Sequence, residues 1–321
     1  MRILKFALAL VVLLLFGAAG LISAVYLAPE AVTRFFIDVE RGRSGLVKKE
    51  IDLPGGLHYV YLEGGQGEPL LLLHGFGANK DNFVRVARFL TPHYRVIIPD
   101  HIGFGESAHP QLADYAPPAQ VERLHAFAQA LGIKRLHLGG SSMGGQIALT
   151  YAAAYRQEVA SLWVLDPAGV WSAPGSELRK IVTETGKNPL VAKTEEEFAQ
   201  ILPFVMSDPP FIPRPILDVM AQERIRNYAL EQRIFIQLAE DSVEARVAGL
   251  ATPTLIVFGE NDRAIHPGTA EVLHNFMPQS QVILMSGIGH LPMIERPKQT
   301  AEDYLRFRLS LSSQLKSTLP K

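Results

Sequence analysis

Residues 136–155 read LHLGGSSMGGQIALTYAAAY, and this stretch decides the fold. A short apolar run, Leu136–Gly139, leads into Gly140-Ser141-Ser142-Met143-Gly144-Gly145, and a helix-like segment follows directly. This is the pattern G-x-S-x-G between a strand and a helix. Such a tight turn presents a serine hydroxyl at the carboxyl edge of a sheet, and small flanking residues avoid a clash with the strained backbone. The pattern predicts a nucleophile at Ser142, with Ser141 as the weaker alternative.

Short apolar runs recur along the chain and alternate with helix-like segments. The predicted strands are Val47–Leu53, Leu57–Glu63, Pro69–Leu73, Tyr94–Ile98, Leu136–Gly139, Ser161–Leu165, Thr254–Phe258 and Gln281–Met285. The predicted helices are Asp81–Leu90, Ala119–Leu131, Gly145–Tyr155 and Thr269–Phe276. Fully apolar strands that alternate with helices predict an α/β fold with a mostly parallel sheet covered on both faces. This core is expected to comprise residues 47–170 and 243–312.

Residues 171–242 interrupt the alternation, because they contain helix-like pieces and a proline-rich middle but no strand pattern. A segment of this length predicts an inserted helical cap, or lid, rather than a structureless loop. Its apolar residues Phe204, Met206, Phe211 and Ile212 are candidates to line an acyl pocket. The alternative is that they only pack the cap onto the core. Residues 313–321 are expected to form a polar tail.

A serine nucleophile needs a base, and the base needs an acid that orients it. His290 follows Gly287-Ile288-Gly289 after the last predicted strand, where a loop reaches the same sheet edge. Asp262 lies in the loop after the preceding strand and is the predicted orienting acid, with Glu260 and Asp166 as alternatives. The resulting order of serine, aspartate and histidine is the one this architecture requires.

The tetrahedral oxyanion of acyl transfer needs two hydrogen-bond donors. The backbone N–H of Met143 directly follows the candidate nucleophile. The loop after the strand Pro69–Leu73 reads His74-Gly75-Phe76-Gly77, and the N–H of Phe76 is the predicted second donor. The side chains of His74 and Asp100 are interpreted as structural, the latter as a brace for its own loop.

Composition excludes several function classes. The chain has 321 residues with 31 Lys and Arg against 32 Asp and Glu, so it lacks the positive charge typical of nucleic-acid binders. It has no cysteine, which excludes disulfides, thiolate metal sites and a cysteine nucleophile. No HExxH motif or histidine-rich spacing occurs. We therefore predict no metal and no nucleic-acid partner.

The N-terminus predicts a membrane protein. Residues 6–28 are uncharged and mostly apolar, and as a helix they would span about 35 Å, enough to cross a bilayer. Residues 1–28 are predicted to be an uncleaved signal anchor, with a cleaved signal peptide as the alternative because small residues occur at 18–20. The basic residues before the span favour a single-pass protein of the inner (cytoplasmic) membrane with a periplasmic or other extracytoplasmic catalytic domain, whereas Arg34, Arg41 and Arg43 after the span favour the opposite orientation.

Residues 29–46 have apolar residues at helical spacing and predict an amphipathic juxtamembrane helix. This helix could lie in the lipid headgroup region or pack on the globular domain. Small residues recur four apart in the anchor, at Gly20 and Ala24 and at Ala19 and Ser23, which lets two membrane helices approach closely. A homodimer formed through the anchor and the juxtamembrane helix is therefore one hypothesis.

These motifs together resemble the α/β-hydrolase superfamily over roughly residues 48–309. The matching pieces are HGFG at 74–77, DxxGxGxS at 100–107, GSSMGG at 140–145, GENDRAI at 259–265 and GIGHLPMIERP at 287–297. More narrowly, the anchor, HGFGANKDNF and the cap segment NPLVAKTEEEFAQILPFVMSDPPFIPRPI resemble membrane-anchored monoacylglycerol lipases and bacterial membrane-bound phospholipases A. The resemblance implies Ser142 as nucleophile, His290 as base, Asp262 as orienter and no cofactor. It also implies that the amides of Phe76 and Met143 are the oxyanion donors.

The expected function is that of a membrane-tethered serine ester hydrolase that releases fatty acids from monoacylglycerols, lysophospholipids or phospholipids. Its partners would be the lipid ester and the bilayer. One alternative is a hydrolase of small soluble substrates, such as an enzyme that cleaves other esters or C–C bonds. The other is a non-catalytic binding protein, which the complete set of candidate catalytic residues disfavours.

Overall fold

The computed structural model describes residue 20 and residues 22–318, and its central feature is one eight-stranded sheet. The strand order is β1-β2-β4-β3-β5-β6-β7-β8, and all pairs are parallel except β1–β2 and β2–β4. The strands are β1 (Leu46–Leu53), β2 (Leu57–Gly64), β3 (Pro69–Leu73), β4 (Arg95–Pro99), β5 (Leu136–Ser141), β6 (Val159–Leu165), β7 (Thr254–Gly259) and β8 (Gln281–Met285). Each overlaps a strand predicted from the sequence, and the sheet is mostly parallel as expected.

Helices connect the strands and flank the sheet. They are α1 (Pro29–Arg43), α2 (Val84–Ala87), α3 (Pro117–Ala130), α4 (Met143–Ala154), α5 (Glu177–Thr185), α6 (Glu195–Val205), α7 (Arg214–Arg226), α8 (Tyr228–Glu240), α9 (Glu244–Val247), α10 (Thr269–Phe276), α11 (Pro292–Glu295) and α12 (Pro297–Thr318). A single turn of 3₁₀-helix, Lys80–Phe83, precedes α2. The helices α5 to α8 all lie between β6 and β7, within residues 171–242, and this segment is called the cap below.

The core lies on both faces of the sheet, because successive residues of its central strands point to opposite sides. In β3, Leu71 and Leu73 belong to a cluster with α3 and α4, whereas Leu70 and Leu72 belong to a cluster with α2 and α12. All four leucines are almost completely buried. Burial on both faces explains why these strands are continuous apolar runs rather than alternating ones.

The predicted helix Asp81–Leu90 differs from the observed structure, which has the 3₁₀ turn followed by only four residues of α-helix. The side chain of Asn79 accepts a hydrogen bond from the Asp81 N–H and starts the 3₁₀ turn. Lys80 points inward and is 1% exposed, and its Nζ donates to Asp100 Oδ2 at 2.8 Å. This buried ion pair fixes the segment to the end of β4, so a regular helical pattern does not form.

Helix α1 packs against the globular domain. It contacts α7 and β1, its Thr33 is buried, and its Arg41 pairs with Asp81. Phe35 and Phe36 on the same helix are exposed. Helix α1 therefore packs on the domain and leaves these two aromatic side chains partly exposed.

The predicted membrane-spanning segment, residues 6–28, lies largely outside the described residues. Of that segment the structure describes Gly20 and residues 22–28, of which Gly20 and residues 22–27 are helical. Within the described part of the chain, no helix combines the length and the apolar character that crossing a membrane requires.

Candidate active site

Ser142 occupies the sharp turn between β5 and α4 with φ 53° and ψ −117°. Among the described residues, only Ser142 and Asp166 have positive φ without being glycine. Two flanking glycines allow this turn to sit against the sheet. A Cβ on Gly140 would lie 2.2 Å from the Gly144 carbonyl oxygen, and one on Gly144 would lie 2.1 Å from the Leu73 carbonyl oxygen. Only glycine fits at either position, so the motif is a packing requirement of the strained turn.

The backbone of Ser142 is held by three hydrogen bonds. Its N–H donates to the Leu165 carbonyl at 2.9 Å, and its carbonyl accepts from the N–H groups of Gln146 at 3.0 Å and Ala168 at 3.1 Å. Ser142 lines a large cavity, whereas neighbouring Ser141 is fully buried and its hydroxyl has no partner in the described structure. The geometry therefore exposes Ser142 rather than Ser141 to a substrate.

His290 and Asp262 meet as the sequence predicts. His290 Nδ1 lies 2.7 Å from Asp262 Oδ2, and the two side chains are 5% and 0% exposed. The other oxygen, Oδ1, accepts from the N–H groups of Ala264 at 2.7 Å and Ile265 at 3.0 Å. These two bonds fix the orientation of the Asp262 carboxylate. Because that carboxylate contacts Nδ1 of His290, it also orients the histidine ring. His290 lines the same cavity as Ser142.

Of the two alternative acids, Glu260 is exposed and Asp166 is fully buried beside Asp262. Burial, followed by the negative charge of Asp262, raises the pKa of Asp166 well above its ordinary value. One polar atom each of Asp166, Asp262 and His290 lie within 4.8 Å of one another, and within the described residues this is the set that could approach a shared metal ion. The 2.7 Å contact between His290 and Asp262 has the length of a hydrogen bond, so the set is explained without a metal.

The two candidate oxyanion donors belong to segments next to Ser142. Met143 begins α4, so its N–H has no acceptor within the helix, and the positive end of the helix dipole lies there. The loop that carries Phe76 approaches closely, since a Cβ on Gly75 would lie 3.3 Å from Ser142 Cβ. The Phe76 ring packs edge-on against Phe104 and Phe235, at 5.8 and 5.4 Å between centroids. This packing holds the loop beside the serine.

Buried polar groups hold the loop that carries Phe76 in place. His74 is fully buried, its Nδ1 contacts the Gly75 carbonyl at 2.8 Å and its Nε2 accepts the His101 N–H at 3.0 Å. Burial lowers the pKa of His74, which favours the neutral ring that this acceptor role requires. Asp100 accepts from the N–H and Nζ of Lys80 and from the N–H of Glu106. Both side chains support loops, in keeping with the structural roles expected for them.

The cavity that contains Ser142 and His290 has a volume of about 1200 Å³. Its walls come from α1, the Phe76 loop and the helices between β6 and β7. Met206 and Ile212 line it, as do neighbouring apolar residues including Phe198, Ile201, Leu202, Val205 and Ile216.

Phe204 and Phe211 are not among the residues that line this cavity within the described structure. Phe204 packs inside the cap, 8% exposed, with the Arg263 guanidinium 4.7 Å from its ring centre. Phe211 is 93% exposed. Consecutive residues point to different sides of the segment, so a run of apolar residues does not share one face.

Arg224 of α7 is a site residue that sequence reasoning missed. Its Nε donates to Glu231 at 2.6 Å and its Nη2 to the Leu190 carbonyl at 2.5 Å. Its guanidinium also lies against the backbone of Gly77, where an added Cβ would come within 2.1 Å of it, and it lines the cavity. The cap therefore contacts the candidate oxyanion loop directly. The i, i+7 spacing to Glu231 is visible in the sequence, but the contact with Gly77 depends on the tertiary fold.

Glu295 is a second such residue and links the histidine loop to the cap. Its Oε1 accepts the Gly289 N–H at 3.0 Å, and its Oε2 accepts the Ser207 N–H at 2.9 Å. In addition, the His290 N–H donates to the Val205 carbonyl at 2.8 Å. The position of the histidine is thus tied to the end of α6.

Comparison with known proteins agrees with this geometry. Residues 68–190 match the family described as alpha/beta hydrolase fold. The chain is 45% identical to Lipase 1 of Psychrobacter immobilis over 297 residues, which cover 89% of this chain and 93% of that lipase. It is 30% identical to monoacylglycerol lipase ABHD6 of Homo sapiens over 259 residues, 77% of each chain.

A solved structure of a membrane phospholipase A, described as a bacterial virulence factor, is similar throughout. Its TM-score is 0.86 at 39% sequence identity, and the match covers 97% of this chain and 99% of that chain. This similarity over nearly the whole length agrees with the sharp turn at Ser142 and with the contact between Asp262 and His290. The chain therefore belongs to the α/β-hydrolase family and is a serine ester hydrolase.

Proposed function

We propose that the protein hydrolyses the ester bonds of glycerolipids at a membrane surface, by way of an acyl-enzyme on Ser142. The Ser142 hydroxyl attacks the ester carbonyl while His290 Nε2 accepts its proton, since Nδ1 is occupied by Asp262. The same proton then passes to the departing glycerol oxygen. Water, deprotonated by His290, attacks the acyl-enzyme and releases the fatty acid with regeneration of the serine.

The amides of Met143 and Phe76 are proposed to stabilise the oxyanion in both steps. Loss of one such donor typically costs about 10²–10³ in rate. The contacts of the Phe76 loop with Phe104, Phe235 and Arg224 support this role, because a donor must be held in place before the charge develops.

The observation that carries the lipid assignment is the cavity itself. It joins Ser142 and His290 to a large apolar wall from the cap and from α1, including Ile37, Leu202 and Ile216. A cavity of this size with an extended apolar wall suits an acyl chain, and charged side chains such as Arg34, Asp218 and Arg226 also line it. The lipase and monoacylglycerol lipase names of the relatives support the same substrate class.

The proposal includes a tether. Residues 1–28 would anchor the chain in the inner membrane with the catalytic domain on the periplasmic side, and a homodimer would form through the anchor and α1. Support comes from the apolar sequence of residues 6–28 and from Phe35, 63% exposed, and Phe36, 43% exposed, on the helix that follows. Such residues suit the lipid headgroup region.

The test is fatty-acid release from a panel of monoacylglycerols, lysophospholipids and diacyl phospholipids, with wild type and Ser142→Ala side by side. We expect release by wild type on at least one class and none by the variant, together with loss of fluorophosphonate labelling. Ser141→Ala is the matched control and should retain labelling. If wild type is labelled but releases fatty acid from no lipid of the panel, the lipid proposal fails and a small soluble substrate takes its place.

The tether is tested separately by removing residues 1–28. We expect hydrolysis of short soluble esters to remain, while hydrolysis of lipid in vesicles falls. Equal activity on vesicles with and without these residues would contradict the tether.

A further inference from the structure

Two carboxyl groups lie together behind the candidate base. Asp166 follows β6 at the sheet edge with φ 46° and is fully buried, and Asp262 is its neighbour from the end of β7. A polar atom of each lies within 4.8 Å of the other and of His290. Neither carboxyl group lines the cavity that contains Ser142 and His290, so both lie beside the histidine in the protein interior.

The two carboxyl groups have very different partners. Asp262 accepts three hydrogen bonds, from the N–H groups of Ala264 and Ile265 and from His290. Asp166 accepts one, from the Gly259 N–H to Oδ1 at 2.9 Å, and within the described structure its Oδ2 is buried without a donor. Hydrogen-bond donors favour the ionised form of a carboxyl group, so Asp166, with one donor, lacks the contacts that would stabilise a negative charge on it.

Two adjacent carboxylates in a buried site do not both ionise when no cation separates them. Glu295, a third acid close enough to act on Asp166, adds to the repulsion. The raised pKa of Asp166, due first to burial and then to Asp262, has the sign that this argument requires. A proton on Oδ2 would also provide that oxygen with the partner it lacks, because it could donate to the Asp262 carboxylate.

We infer that Asp166 is a protonated positioning residue, which donates a hydrogen bond from Oδ2 to Asp262 and so holds that carboxylate toward His290. The inference rests on the proposed function, in which His290 is the base. Asp166 does not touch the substrate and acts only through Asp262. It supplies the fourth hydrogen bond to a carboxylate that must keep its charge and orientation while the imidazolium forms and disappears.

The experiment compares wild type with Asp166→Asn and Asp166→Ala. Asparagine is neutral, keeps an acceptor for the Gly259 N–H and can donate to Asp262, whereas alanine removes both interactions. We expect kcat/KM of Asp166→Asn on a p-nitrophenyl ester within about threefold of wild type, with the acidic limb of its pH profile unmoved. We expect kcat of Asp166→Ala to fall by about tenfold or more at unchanged KM, because orientation and not binding is lost.

An infrared difference spectrum detects the proton directly and needs no substrate. At pH 8, wild type minus Asp166→Asn should show the carbonyl band of a protonated carboxyl group. Asp303→Asn is the matched control, a buried acid elsewhere in the fold, and its spectrum minus that of Asp166→Asn should show the same carbonyl band, because this variant keeps Asp166.

Three results would overturn the inference. Absence of the carbonyl band, or displacement of the acidic limb by about one pH unit in Asp166→Asn, would show that Asp166 is ionised. Unchanged kcat in Asp166→Ala would show that the contact does not position Asp262. If Asp166→Ala does not fold, the infrared spectrum and the pH profile of Asp166→Asn still test the inference. Failure of lipid hydrolysis alone would refute the proposed substrate and leave the infrared result intact.

Discussion

Arg41 of α1 donates two hydrogen bonds to Asp81, from Nε to Oδ1 at 2.7 Å and from Nη2 to Oδ2 at 2.8 Å. Asp81 belongs to the 3₁₀ turn that follows the Phe76 loop, so this bidentate pair joins α1 to the segment beside the active site. Both side chains are mostly shielded, at 13% and 23% exposure. Planar, partly buried pairs of this kind are stronger than exposed ones.

Replacement of Arg41 by alanine should therefore lower the free energy of unfolding by about 1–3 kcal/mol, since it leaves Asp81 without its main partner. Chemical denaturation measures the change. Arg43→Ala is the matched control on the same helix, because its pair with Glu40 is exposed and should contribute less than about 0.5 kcal/mol. Equal effects of the two substitutions would contradict a specific role for the Arg41 pair.

Asp262→Asn should reduce kcat by about 10³–10⁴ while the protein remains folded. An asparagine can present its NH₂ group to His290 Nδ1, which would favour the tautomer with the proton on Nε2 and leave no base for Ser142. Steady-state kinetics on a soluble ester measure the loss. Glu260→Gln, two residues away and exposed, should stay within about twofold of wild type. A comparable loss in Glu260→Gln would move the orienting role to that residue.

Glu106 predicts a pH dependence of stability. Burial alone would raise the pKa of this carboxyl, but hydrogen bonds from Lys48 and Lys80 outweigh it and lower the pKa to about 2, from the ordinary value of 4.5. A depressed pKa in the folded state stabilises the protein above pH 4.5, and that stabilisation is lost as the pH falls toward 2. The stability difference between wild type and Glu106→Gln should therefore be larger at pH 5 than at pH 3.

Urea unfolding at the two pH values measures this difference. Glu184→Gln, at an exposed position of α5, is the control and should follow wild type at both. If the stability difference between wild type and Glu106→Gln instead grows as the pH falls, the ion pairs of Glu106 do not stabilise the folded protein in the way argued here.

Arg224→Met should destabilise the protein by about 3–5 kcal/mol, because it leaves Glu231, 2% exposed, without its cation. The double variant Arg224→Met/Glu231→Leu should recover most of that loss, since it removes both charges. Arg214→Met on the same helix is the control, as its pairs are exposed and should contribute less than about 1 kcal/mol. No recovery in the double variant would mean that Arg224 stabilises mainly through Leu190 and Gly77.

Phe211→Ser should weaken hydrolysis of vesicle lipid by about tenfold and leave hydrolysis of a short soluble ester unchanged. Phe211 is 93% exposed and adjoins Pro210 and Ile212, which line the cavity, so membrane contact would bury its ring. Leu112→Ser removes an apolar side chain that is 97% exposed but does not line the cavity. Parallel losses in the two variants would point to general surface hydrophobicity.

The central strands β3 to β7 could be predicted from the sequence because they are buried on both faces and therefore appear as short, mostly apolar runs. The approach of His290 to Asp262 could be predicted for a related reason, since both follow neighbouring parallel strands that end at one edge. The turn at Ser142 was visible because close backbone contacts admit only glycine at positions 140 and 144.

Features that depend on contacts between distant segments were not predictable in the same way. Lys80 reads as a surface residue, yet its buried pair with Asp100 replaces the expected helix with a 3₁₀ turn. Arg224 gives no sign in the sequence that it will lie on Gly77. The cap also gives no periodicity that separates Phe204, which packs inward, from Ile212, which lines the cavity.

Helix α1 is at once the continuation of the N-terminal apolar segment and a wall of the cavity. A fragment that begins at Pro29 keeps Ile37 and Phe36 in that wall, whereas one that begins at β1 loses them. The two truncations would thus differ in substrate preference even if both are water-soluble and fully folded. Chain-length selectivity measured on the shorter fragment would describe a different enzyme from the one that the cell makes.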